Sequence, residues 1–119
     1  MTPREMQART KAFALRTIKL VDALPRSTAG WIIGRQLLRS ATSIGANYRA
    51  ACRAQSRAEF AAKLSIVVEE ADESLYWLEL LQESGLIKPR QLTELLTDAN
   101  ELVAINVAAR KTAKQAART

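Results

Sequence analysis

Five arginines at near-helical spacing, Arg35, Arg39, Arg49, Arg53 and Arg57, are the side chains best placed for chemistry, and the chemistry they could do is phosphate binding. A guanidinium is planar, permanently charged, and offers paired N–H donors that match phosphate oxygens. Other reactive types are sparse. The chain has no histidine, so the commonest general base and the usual imidazole metal ligand are missing. The run "EEADE" supplies Glu69, Glu70, Asp72 and Glu73. Helical geometry points these carboxylates in several directions, and di-iron bundles pair such acids with Glu-x-x-His motifs. A solvated or salt-bridged face is expected, with no metal and no cofactor. Cys52 has arginine neighbours of the kind that activate thiols, but a lone cysteine on an Ala-rich helix reads as a small buried residue. No P-loop, GxGxxG or zinc spacing occurs. No catalytic residue is assigned, and the protein is not expected to be an enzyme.

The charge is strongly divided. Met1 to Ala58 carries eleven Arg or Lys against two acids, and Glu59 to Ala109 carries three against ten. The last ten residues add four basic side chains, for a formal net charge of +6. Such asymmetry fits a nucleic-acid surface. It fits equally a basic half lying against an acidic half, within one chain or between copies.

The elements that carry these side chains are helical. Hydrophobic residues make up 48% and aromatics 5% of 119 residues, rich in Ala and Leu, which favours one all-helical domain. "TPRE" is a helix start, with Thr2 as cap, Pro3 in the first turn and Glu5 three residues after the cap. Pro25 stops that helix. Ser27 or Thr28 opens the second helix, Gly85 with Leu86 behind it closes the third, and Pro89 opens the fourth. The predicted helices are 3–24, 28–55, 56–84 and 89–110 in a single domain of residues 1–110. A basic, frayed tail is predicted for 111–119. Short links between long helices make an up-down-up-down antiparallel four-helix bundle. With one cysteine, no membrane-length apolar run and no hydrophobic signal segment, a cytoplasmic protein is expected.

Projected at about 100° per residue, the second helix shows three stripes. Ile33, Leu37, Ala41, Ile44, Tyr48 and Ala51 form a core face, with the arginines roughly opposite. Gln36, Ser40, Ser43 and Asn47 fall between them as a polar seam, small enough for a neighbouring helix to approach closely. Gly45 costs the helix roughly 1 kcal/mol relative to Ala, so a kink or close approach is expected there. The third helix has more apolar surface than one core needs. Phe60, Leu64, Val67, Ala71, Leu75 and Leu78 make one face. Ile66, Tyr76, Trp77, Leu80 and Leu81 lie off it and are expected to contact another subunit.

The stretch "QLLRSATSIGANYRAACRAQSRAEFAAKLSIVVEEADESLYWLELLQESGLI" resembles the four-helix bundle family of 23S rRNA-intervening-sequence proteins. Gln36, Leu37, Arg39, Ser40, Ala41, Ser43, Ile44, Ala46, Asn47 and Tyr48 match the family pattern in helix two. Phe60, Leu64, Leu75, Gly85, Leu86 and Ile87 match it in helix three and the turn beyond. The chain departs at Gly45, where proline is frequent, and at Ala50 and Ala51, where Glu-Gly is frequent. The resemblance implies a ring-like homopentamer without enzymatic activity. It also implies kinship with accessory proteins of diversity-generating retroelements, which bind nucleic acid and a reverse transcriptase.

Two functions follow. In one, the homo-oligomer binds RNA or DNA, or serves as an adaptor for another protein, with Arg35, Arg39, Arg49, Arg53 and Arg57 against phosphates. Such binding is weakly sequence-selective and steeply salt-dependent. In the other, the oligomer is purely structural or protein-interacting, and the basic stripe pairs with acids of helix three.

Overall fold

The computed structural model describes residues 1–118 as four helices, α1 (Pro3–Asp22), α2 (Thr28–Cys52), α3 (Arg57–Glu83) and α4 (Pro89–Arg118). Their starts are set by side-chain caps. The Thr2 hydroxyl accepts from the Glu5 amide at 3.1 Å, Ser27 from Gly30 at 3.0 Å and Ser56 from Glu59 at 3.0 Å. Glu59 reaches back to accept from the Gln55 amide at 3.0 Å, so the α2–α3 turn is tied from both sides. Gly85 ends α3 with φ of +74°, a left-handed conformation that glycine adopts without steric cost.

Neighbouring helices run antiparallel, as their registers show. Gly45 lies beside Thr10, whereas Gly34, further back along α2, lies beside Val21 near the far end of α1. α3 packs extensively on both α2 and α4, α1 packs on α2, and the α1–α4 seam is the thinnest. Ion pairs reinforce that seam. Arg9 pairs with Asp98 and Glu101, and Arg16 with Glu94 and Asp98. Part of the basic half therefore neutralises part of the acidic half within one chain.

The core contains Leu37, Ala41, Ile44, Leu64, Val67 and Leu102, all fully buried. Gly45 marks a close approach: a Cβ there would stand 3.3 Å from the Thr10 hydroxyl oxygen. α2 runs unbroken through this point.

The ends depart from expectation in two places. α2 stops at Cys52 and not near Gln55, because Ser56 caps a new helix. α4 continues to Arg118 and not to about 110. Ala113 is buried and Ala109 packs against the core, so good helix formers extend the apolar stripe. Thr119, the end of the expected frayed tail, lies outside the described residues.

Candidate functional site

α2 holds most of the candidate residues, and its face divides by partner. Arg35, Arg39, Arg49, Arg53 and Arg57 are all exposed. Arg39 is drawn toward α3, where it pairs with Glu73 and lies 3.5 Å from Glu70. Glu73 also accepts from the Trp77 indole N–H at 3.1 Å. Burial raises the Glu70 carboxyl above the ordinary carboxylate range. Arg39 opposes that shift, while Glu73 and Glu69 add to it.

Arg35 turns the other way and places its guanidinium carbon 4.8 Å from the centre of the Trp31 ring. Among the described residues, Arg35, Arg49 and Arg53 form no ion pair. Arg57 does not belong to this face. It is the first residue of α3, and its guanidinium lies 3.5 Å from the Ala116 carbonyl of α4. The projection that placed it on α2 fails because the chain turns after Cys52.

The polar seam also divides. Ser40 is fully buried, and its Oγ lies 2.8 Å from Ser74 Oγ on α3. Ser74 Oγ donates to the Glu70 carbonyl at 2.9 Å, so this hydroxyl pair is satisfied. Asn47 is half-buried and bonds one turn back, donating to the Ser43 carbonyl at 2.9 Å and hydroxyl at 2.8 Å. Gln36 is half-buried. Only Ser40 crosses to the neighbouring helix through a hydrogen bond.

Of the residues expected at a subunit contact, Leu81 must be withdrawn, since it is 0% exposed in the core. Val67, Ala71, Ser74, Leu78 and Leu81 belong to the buried stripe of α3, and Leu75 is only partly buried beside it. Trp77 packs partly on the core. Its ring meets Tyr76 edge-on with centroids 5.1 Å apart. Tyr76 is 54% exposed, while Ile66 and Leu80 are half-buried. Cys52 is exposed rather than buried, because it ends the helix at the bundle's tip. Tyr48, one turn before it, has its hydroxyl pushed up to about 12 by burial, with Cys52 adding to the shift. Among the described residues, no three Cys, Asp or Glu side chains gather to hold a metal ion. Among the described residues, no helix is long and apolar enough to cross a membrane.

Comparison with known proteins decides the family. The model of the 23S rRNA-intervening sequence protein family matches residues 4–108, nearly the whole bundle. This chain belongs to that family. A crystal structure of an S23 ribosomal protein family member of unknown function, from Bacteroides thetaiotaomicron, is 37% identical with a TM-score of 0.85. The match covers 93% of this chain and 99% of the other. Among curated proteins, none matches significantly.

Two residues escaped sequence reasoning. Ser74 sits at heptad spacing between Ala71 and Leu78, a signal that would have placed it on the buried stripe. Trp31 lies on the arginine face of α2, where its spacing of four from Arg35 was available to read.

Proposed function

We propose that this member of the 23S rRNA-intervening sequence protein family is a non-enzymatic, cytoplasmic homo-oligomer that binds nucleic acid or acts as an adaptor. The arginine face of α2 lies against phosphates. One observation carries the reading. Arg9, Arg16 and Arg39 are matched to carboxylates, whereas Arg35, Arg49 and Arg53 stand exposed on one face with no carboxylate partner among the described residues. Adjacent α3 holds Glu69, Asp72 and Glu79 at its exposed surface, yet they are not used. A row of unneutralised guanidinium groups attracts a polyanion and releases its counterions.

A ring-like homopentamer is the assembly we favour, the number five coming from the family resemblance. Exposed Tyr76, with half-buried Leu80 and Ile66, supplies apolar surface on α3 for that contact.

The pairing of Arg39 with Glu70 and Glu73 favours a second reading, a structural or protein-interaction oligomer whose basic stripe serves α3. Competition gel shifts with structured RNA and duplex DNA at several salt concentrations separate the two. Binding of both that weakens steeply with salt supports the first reading, and no binding at low salt supports the second.

A further inference from the structure

The corner between α1 and α2 carries a groove of about 760 Å³, within the size range of small-ligand sites. Its backbone is tightly fixed. A Cβ at Gly30 would stand 2.6 Å from the Pro25 carbonyl oxygen, so only glycine lets the first turn of α2 fold so closely onto that corner. The next residue, Trp31, is thereby held on the groove with 62% of its surface exposed.

Arg35 lies over this indole, its guanidinium carbon 4.8 Å from the ring centre. A guanidinium has five N–H donors, and one held over a ring by its charge still has donors to offer an anion. Arg26 stands on the same groove, Val21, Leu24 and Leu38 supply apolar lining, and Asp22 is the one carboxylate among the lining residues. The first turn of α2 carries no acid. A flat apolar ring bordered by two guanidinium groups complements a flat ring that carries an anion. That is the repeating unit of a nucleic-acid strand.

We infer that Trp31 is a base-stacking platform for single-stranded nucleic acid, with the phosphates beside the stacked base held by Arg35 and Arg26. The inference rests on the phosphate-binding reading of α2. Trp31 and Arg35 stand at the N-terminal end of the face that continues through Arg49 to Arg53, about 30 Å of helix. It adds what arginines alone lack. Phosphate contacts position a strand without reading its bases. A stacking platform needs an unpaired base whose face is free, so the protein prefers single strands over duplex.

The test uses the full chain with Trp77→Phe, which leaves Trp31 as the one tryptophan of the two in the sequence. A labelled oligouridylate and an abasic strand of equal length are titrated, following anisotropy and indole fluorescence. Oligouridylate quenches Trp31, and Trp31→Ala weakens its binding roughly 5- to 150-fold. The abasic strand quenches nothing and binds both proteins equally. If oligouridylate binds without quenching and Trp31→Ala binds as tightly, the platform is refuted while the arginine reading stands. Failure of both strands to bind at low salt refutes the arginine reading and the platform together. If Trp31→Ala instead breaks the unmodified assembly into smaller species in sedimentation, a second copy of the chain occupies the groove, and the platform is refuted.

Discussion

The hydroxyl oxygens of Ser40 and Ser74 lie 2.8 Å apart, and both residues are fully shielded from solvent. They join α2 to α3 at a level where both helices bring small side chains to the contact. Removing one hydroxyl loses a hydrogen bond but strands little, because Ser74 still donates to the Glu70 carbonyl. Ser40→Ala should therefore cost about 1 kcal/mol, or roughly 3–6 °C in melting temperature for a domain of this size. The double change Ser40→Ala with Ser74→Ala should cost less than the sum of the singles, because both polar partners then leave together. Thermal melts of the four proteins in a double-mutant cycle check this. Additive costs would mean the contact contributes no coupling.

Glu70 sets a pH dependence. Its folded pKa is raised, chiefly by burial, so the folded state holds the proton more tightly than the unfolded chain does. The protonated carboxyl thus contributes stability below the ordinary carboxylate range, and that contribution is lost as pH rises through the folded pKa. Glu70→Gln should accordingly be more stable than the unmodified protein at neutral pH, and the difference should shrink as the solution is acidified. Melting temperatures of both proteins across the pH range measure it. A difference that stays constant with pH would show that Glu70 does not titrate differently in the folded state.

Leu81 and Tyr76 separate core from surface on one helix. Leu81→Ala should cost about 2–5 kcal/mol by leaving a cavity, at every protein concentration. Tyr76→Glu should leave the fold intact, because that side chain is largely exposed, and should shift an oligomer toward monomer by placing a charge in an apolar contact. Circular dichroism and sedimentation equilibrium read the two effects separately. A Tyr76→Glu protein that sediments like the unmodified one would remove Tyr76 from the subunit contact.

The bundle was legible because its punctuation is local. Thr2, Ser27, Gly85 and Pro89 act within a few residues of their own position, and the structure uses each where the sequence places it. The core stripe of α2 followed from periodicity in the same way. Leu81 was misplaced and Ser74 overlooked because α3 is apolar almost all round, and a projection centred on Leu75 hides the heptad of positions 67, 71, 74, 78 and 81 that the bundle buries. Arg57 was misplaced for a related reason: extending one projection past Cys52 assumes a helix that Ser56 has already ended. The pairing of Arg39 was invisible, because whether it meets Glu73 depends on which helix lies beside α2. The Arg35–Trp31 contact lies within α2, at a spacing of four.

The phosphate-binding role of α2 is tested most directly by the salt dependence of RNA binding in a variant that spares every observed ion pair. Arg49→Ala with Arg53→Ala removes two exposed, unpaired guanidinium groups and should leave the melting temperature nearly unchanged. Fluorescence anisotropy with one labelled RNA, repeated across salt concentrations, gives the slope of log affinity against log salt. The predicted result is weaker binding at low salt and a slope flattened by about 1 for each phosphate that the variant no longer neutralises. An unchanged affinity and slope, with the fold intact, would contradict the assignment of this face to nucleic acid.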